Sequence, residues 1–189
     1  ELYQAGKLTN AHKELDTGLS AWNLAMGSQE LYDWLDAEPQ LFHPGDLDYI
    51  HSVERISKLS NVISINGGVQ LDLMGQENAE STGTRQLSGV GGQMDFLEGA
   101  YRSKGGKGFI CINSSRVTKD GERKSNILAT IPGGSTISAP RTMIQYVATE
   151  YGIASLSGKT LRERAEAMAA IAHPDFREEL MKYARKNFK

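Results

Sequence analysis

The sequence contains little cysteine, no long hydrophobic run and no signal-peptide start. A single cysteine, Cys111, rules out a disulfide within the chain, and its neighbours Ile110 and Ile112 predict a buried apolar role in a reducing compartment. No window approaches the roughly 18 uncharged apolar residues that span a bilayer. Residues 1–4 lack the basic and apolar regions of a signal peptide. We therefore expect a cytoplasmic protein without a membrane partner.

Several common functional motifs are also missing. The formal net charge of −2 gives no reason to expect a nucleic-acid partner. No Gly-x-Ser-x-Gly nucleophile elbow occurs. The histidines contain no i, i+4 pair and no cysteine cluster accompanies them, so we expect no metal site. They are His12, His43, His51 and His173.

Apolar residues make up 39% of the 189 positions, enough for one sizeable core in a soluble α/β protein. Apolar runs predict strands at 21–26, 61–65, 69–74, 109–113 and 127–131. Helical spacing predicts helices from the Ser28 cap to before Pro39 and at 51–59, 94–101, 161–172 and 174–186. Residues 142–150 favour a strand over a helix. We expect a hairpin or sharp bend at 66–68 and a functional loop at 76–92.

Glycine is concentrated in one region. Eleven of the 20 glycines lie between Gly67 and Gly108, and a dense glycine turn occupies Ser88–Phe96. The turn is not a dinucleotide fingerprint, because the third glycine would fall at Met94, and Gly106 does not fit a phosphate-binding P-loop. Successive N–H groups before a helix can receive an oxyanion or a carbonyl oxygen. A tight turn that merely packs against a neighbouring strand is the alternative.

Positive charge is also local. Residues 101–124 contain seven basic residues against two acidic ones, in an otherwise acidic chain. These charges form either a solvated surface loop or a site for phosphate or carboxylate groups. Three carboxylates lie near glycine-rich or turn-like segments, and we expect each to be a surface residue or a local cap. They are Glu77, Glu80 and Glu150.

Several motifs in fixed order resemble one known family. They are Val62–Asn66, Gln70–Ser81, Ser88–Phe96, Thr149–Ala154 and Ile171–Arg177. Together they closely resemble the C-terminal half of the acetyl-CoA hydrolase/transferase family, over essentially all 189 residues. Within it, the chain is most similar to the 4-hydroxybutyrate and butyryl-CoA:acetate type of CoA-transferase.

The resemblance implies a fold and a reaction. The fold would be a NagB/CoA-transferase-like open mixed sheet flanked by helices, with residues 1–189 forming the C-terminal domain. The reaction would be ping-pong CoA transfer from an acyl-CoA to a short-chain carboxylate, through a glutamyl-CoA thioester. In the family that glutamate lies in a His-Ser/Thr-Glu segment upstream of Glu1. The resemblance therefore implies a partner N-terminal half, and we expect a homo-oligomer and an inactive isolated chain. Coenzyme A would be a substrate, with no permanently bound cofactor.

The resemblance also assigns candidate site residues. The N–H of Gly92 would face the thioester oxygen, where an added side chain would block approach, and Gly91 would shape the same turn. Gly68 and Val69 match the position beside the CoA arm, and Lys119 matches a lysine near the CoA phosphates. Because the lysine alignment crosses a variable loop, two other residues stay open for that role, Lys107 and Lys124.

Two alternatives to CoA transfer remain. The first is acetyl-CoA hydrolysis on the same fold. The second is a non-catalytic module that binds CoA or an anion and acts through a partner.

Overall fold

A computed structural model describes residues 1–188. The strands are β1 (Ser20–Trp22), β2 (Phe42–Pro44), β3 (Ile63–Gly67), β4 (Gln70–Asp72), β5 (Glu77–Asn78), β6 (Ser81–Thr82), β7 (Arg85–Gln86), β8 (Lys107–Cys111), β9 (Ser115–Val117), β10 (Arg123–Ser125), β11 (Ile127–Leu128), β12 (Tyr146–Thr149) and β13 (Gly152–Ser155). The helices are α1 (Gln29–Ala37), α2 (Leu47–Ile50), α3 (Val53–Lys58), α4 (Gln93–Arg102), α5 (Leu161–Ala170) and α6 (Pro174–Asn187). None of the helices in this described part is long and apolar enough to cross a membrane.

The central sheet has four strands in the order β13-β12-β8-β3. Strands β3, β8 and β12 are parallel, and β13 pairs with β12 in the antiparallel direction. Ile65 lies opposite Phe109, which in turn lies opposite Tyr146. This arrangement confirms the predicted mixed sheet of an α/β protein.

The core lies between this sheet and the helices that pack on it. Helix α4 contacts β3 and β8, while α5 packs against β13 and α6. Leu97, Ile110, Val147 and Met168 are fully buried there. Burying a side chain of this size contributes roughly 1.5–3 kcal/mol, so the shared core fixes the helices on the sheet. The opposite face of the sheet carries the stacked rings of Phe109 and Tyr146.

Strand pairing differs from the sequence prediction at residues 66–68. We expected these residues to join a hairpin or form a sharp bend, but β3 and β4 do not pair with each other. Strand β3 pairs with β8, whereas β4 pairs with β5 and β11 in a separate sheet. The hairpin prediction was wrong, because alternating apolar residues do not specify the partner strand. Asn66 and Gly67 instead extend β3, and the chain bends at Val69. The predicted loop 76–92 also contains the short strands β5 to β7.

The start of α5 carries a reciprocal cap. The Thr160 hydroxyl accepts a hydrogen bond from the Glu163 N–H, and the Glu163 carboxylate accepts one from the Thr160 N–H at 2.8 Å. We expect Thr160→Ala to lower the free energy of unfolding by about 1 kcal/mol in urea denaturation, because a helix N–H loses its acceptor. Thr130→Ala, at an exposed threonine outside the helices, is the control. Equal effects of the two substitutions would contradict a capping role.

Candidate active site

A pocket of about 430 Å³ opens where the parallel strands β3, β8 and β12 end. In open α/β sheets, ligands bind in the crevice outside the carboxyl ends of the strands. The lining residues are Gly68, Cys111, Ile112, Asn113, Ala148, Thr149 and Glu150. We call this the strand-end pocket. It contains Gly68, one of the residues predicted to lie beside the CoA arm.

Glu150 places a carboxylate in the strand-end pocket. Its two oxygens accept hydrogen bonds from the Ser114 N–H at 2.9 Å and the Ser114 hydroxyl at 2.6 Å. Burial opposes ionisation, but the Ser114 hydrogen bonds outweigh it and hold the pKa of Glu150 below its usual value. The residue is exposed, as expected from the sequence, and it also presents a fixed negative charge to the pocket.

Two other carboxylates correct the sequence interpretation. We expected Glu77 and Glu80 to be surface residues or caps, but their exposed fractions are 0% and 4%. Burial, assisted by the charge of Glu80 and opposed by a hydrogen bond from Gln93, raises the pKa of Glu77 to about 7. No local sequence pattern predicts this burial, because the residues that contact Glu77, including Gly68 and Ala139, belong to other segments of the chain.

Glu77 connects two segments that the sequence marked as functional. Its Oε2 accepts a hydrogen bond from the side-chain amide of Gln93, the residue after Gly92. Its Oε1 has no hydrogen-bond partner in residues 1–188 and points at Gly68, where an added Cβ would lie 2.7 Å away. The side chain of Glu77 therefore spans from the strand-end pocket to the start of α4.

The backbone of these two segments is used differently. The N–H groups of Gly68 and Val69 donate to Cys111 and Asn78 at 3.3 and 2.9 Å, so these two donors are already engaged. The N–H groups of Gly91 and Gly92 donate to no protein acceptor within the described chain, residues 1–188. They precede α4, a helix of ten residues, where the helix dipole favours negative charge. Free donors in this position are what an oxyanion or carbonyl oxygen requires.

His51 explains why position 92 is a glycine. A Cβ at Gly92 would overlap the His51 ring at Cε1 and Nδ1. The His51 Nδ1 lies 3.4 Å from Asp95 Oδ2, and the ring packs edge-on against Phe96 with centroids 5.0 Å apart. Gly91 has a φ of 64°, which favours glycine for a separate, conformational reason.

The glycine turn faces a second pocket of about 720 Å³. We call this the glycine-turn pocket. It is lined by Asn23, Leu24, Leu47, Asp48, His51, Ser52, Gly91, Gly92 and Asp95. The predicted site residues thus divide between two pockets, with Gly68 in one and the two turn glycines in the other, and the buried side chain of Glu77 lies between Gly68 and Gln93.

The three candidate lysines occupy different places. Lys119 is exposed in the turn between β9 and β10, and Lys124 on β10 pairs with Glu122 at 3.1 Å. Lys107 begins β8, whereas the strand-end pocket lies where β8 finishes, about 13 Å away at the usual rise per residue. Chain topology therefore favours the β9–β10 hairpin over Lys107 as a contact for a ligand in that pocket.

The comparisons with known proteins agree with the sequence motifs. Residues 27–184 match the family model described as the acetyl-CoA hydrolase/transferase C-terminal domain. The chain is 43% identical over 98% of its length to the butyryl-CoA:acetate CoA-transferase of Anaerostipes caccae. It is 44% identical over 100% of its length to the 4-hydroxybutyrate coenzyme A transferase of Clostridium kluyveri. A protein named acetyl-CoA hydrolase, from Eremothecium gossypii, is 32% identical over 70% of the chain.

The fold also matches solved structures. RipA from Yersinia pestis has a TM-score of 0.87 and 39% identity over 98% of the chain. The chain covers 41% of RipA, and 42% and 43% of the first two curated relatives above. It therefore spans about two fifths of the length of the proteins that it matches.

Proposed function

Because this chain belongs to the acetyl-CoA hydrolase/transferase family, we propose that it forms one wall of the active site of a short-chain acyl-CoA:carboxylate CoA-transferase. The strand-end pocket, together with the free N–H groups of the glycine turn that precedes Gln93, the hydrogen-bond partner of Glu77, is the observation that carries this proposal. The activity would belong to the complete polypeptide, since the chain spans about two fifths of its relatives.

The proposed reaction proceeds through a glutamate supplied by the preceding region of the polypeptide. Its carboxylate attacks the acyl-CoA carbonyl and the C–S bond breaks. CoA departs as a thiolate, and the acyl group and the glutamate form a mixed anhydride. The thiolate then attacks the glutamyl carbonyl and releases the first carboxylate, which gives a glutamyl-CoA thioester. The incoming carboxylate reverses both steps, collects the CoA and restores the glutamate. A water molecule in place of that carboxylate would produce hydrolysis.

This chain would supply fixed polar groups rather than the nucleophile. The N–H of Gly92 would donate to the oxygen that becomes negative when the thioester is attacked, a contribution worth several kcal/mol in comparable sites. The carboxylate of Glu150, held by Ser114, would accept hydrogen bonds from the amide groups of the CoA arm beside Gly68. A cytoplasmic location and a homo-oligomeric state remain predictions.

An exchange assay tests the transferase proposal. The complete polypeptide, incubated with butyryl-CoA and labelled acetate, should form labelled acetyl-CoA, and its intact mass should reveal a covalent CoA adduct when acyl-CoA alone is present. CoA release that does not require acetate would favour the hydrolase of the same fold. Binding of CoA without either reaction would leave the non-catalytic module, and the transferase proposal would be wrong.

Lys119 is the residue proposed to approach the CoA phosphates. In the complete polypeptide, we expect Lys119→Ala to weaken CoA binding about threefold at low salt, because an exposed lysine contributes a modest and screened attraction. The difference should shrink as salt rises. Lys182→Ala, which removes an exposed lysine on α6, should bind CoA normally. Equal affinity of the Lys119 variant and the unchanged protein at all salt concentrations would assign Lys119 to solvent.

A further inference from the structure

A third pocket, of about 430 Å³, lies at the other end of the central strands from the strand-end pocket. It opens before the start of β12 and after the end of β13, next to the beginning of α5. We call it the basic pocket. Its lining includes Tyr101, Arg141, Thr142, Lys159, Thr160 and Arg164. Three of these side chains are cationic and none is a carboxylate.

Arg164 forms the rigid part of the basic pocket. It is 8% exposed, and its guanidinium donates three hydrogen bonds of 2.8 Å, all to main-chain carbonyl oxygens. The acceptors are Met74, Leu156 and Arg141. A guanidinium has five N–H groups, so two remain available. The positions of these donors are fixed in advance, which lowers the entropy lost when a ligand binds.

The charge of Arg164 is poorly compensated. No carboxylate within residues 1–188 lies at ion-pair distance from it. Burial, followed by the nearby charge of Arg141, lowers the pKa of Arg164, and Asp72 opposes this effect. The oxygens of Asp72 are already engaged by the N–H groups of Met74 and Gln76 and by the Gln76 amide. Buried charges in proteins are normally paired, so the unpaired guanidinium of Arg164 favours the binding of an anion.

The two other cations of the basic pocket would be exposed to a bound anion. Arg141 and Lys159 are exposed at the walls of the pocket and form no ion pair within residues 1–188, although the charge of Lys159 also acts on the nearby carboxylate of Glu163. The beginning of α5 is not the source of the attraction, because Thr160 and Glu163 already cap it. The anion affinity therefore rests on the three side chains.

We propose that the basic pocket binds a small oxyanion, a phosphate or carboxylate group, between the fixed guanidinium of Arg164 and the side chains of Arg141 and Lys159. Arginine suits such groups because its planar fork matches two oxygens at once. The pocket lies at the amino end of β12, away from the strand-end pocket at its carboxyl end. The proposal therefore stands independently of the proposed CoA transfer.

Titration of the complete polypeptide with inorganic phosphate, followed by ¹H–¹⁵N NMR at constant ionic strength, tests the proposal. We expect saturable shifts in residues 141–144 and 157–164. The Arg141→Ala/Lys159→Ala double variant should bind at least tenfold more weakly, and it leaves the buried Arg164 in place. Lys182→Ala/Lys186→Ala, which removes two exposed cations of α6, is the matched control and should keep the affinity at this pocket.

A second titration with acetate identifies the preferred group. Saturation by phosphate alone would indicate a ligand that carries a phosphate, and saturation by acetate as well would extend the site to carboxylates. Failure of both anions to saturate would overturn the proposal. Equal affinity of the Arg141→Ala/Lys159→Ala variant and the unchanged chain would also overturn it, provided that their thermal unfolding shows both to be folded.

Discussion

Gly92→Ala should lower the free energy of unfolding by about 2 kcal/mol, and the additional substitution His51→Ala should restore most of that loss. The new Cβ would overlap the His51 ring, which Asp95 and Phe96 hold on its other sides. Overpacking of this kind typically costs 1–3 kcal/mol. Urea denaturation of the two single variants and the double variant gives the coupling between the residues, which should be close to the whole effect of Gly92→Ala.

The same variants separate packing from ligand approach as the reason for a glycine. Gly89→Ala is the matched control, because it lies in the same turn and its Cβ would meet nothing within 4 Å. It should keep the original stability. If Gly92→Ala folds with unchanged stability and the complete polypeptide still loses turnover, the need for glycine comes from the substrate, as the sequence first suggested. Restoration of stability by His51→Ala would show that the ring sets the requirement.

Glu77→Gln should change how stability depends on pH. Burial raises the folded-state pKa of Glu77 to about 7, whereas the ordinary value is 4.5. The folded state therefore holds a proton that the unfolded chain releases between these two pH values. The stabilisation is complete below pH 4.5 and is lost as the pH rises through 7, a decrease of about 3 kcal/mol at 1.36 kcal/mol per pH unit.

Chemical denaturation at pH 5 and pH 8 checks this expectation. The unfolding free energy of the unchanged chain, relative to Glu77→Gln, should fall by most of that amount between the two conditions. Glu178→Gln, at an exposed position on α6, should show no such trend. A difference that stays constant with pH would mean that Glu77 is ionised in the folded protein at both values.

Local patterns predicted most elements of the fold but not their partners. Helical spacing located α4, α5 and α6, because each has one apolar face that must reach the core. Strand β8 was predicted from its continuous apolar run, which is typical of a strand buried in a parallel sheet. The pairing of β3 with β8 and of β4 with β11 joins residues far apart in the chain. Apolar alternation does not contain that information, and β13, which is short and mostly exposed, was missed.

In the candidate site, too, the local pattern was predicted and the long-range contacts were not. Glycine density identified the turn before α4. Because glycine costs backbone entropy, a cluster of glycines indicates a conformational requirement or a close approach. The contacts that define the turn, from His51 and from Glu77 through Gln93, cross 41 and 16 residues of sequence. The expectation that Glu77 is a surface residue or a cap was wrong, although a carboxylate is rarely buried without a cation. Such long-range contacts form only when the chain has folded and its strands have paired.

Strand β3 has a consequence for handling the protein. It lies at an open edge of the central sheet in the described chain, residues 1–188, and its residues Ile63 and Ile65 are 50% and 69% exposed. An unpaired edge flanked by apolar side chains is a template for pairing with another chain. The 189 residues on their own therefore carry an aggregation hazard at this edge, which covering or charging β3 would reduce.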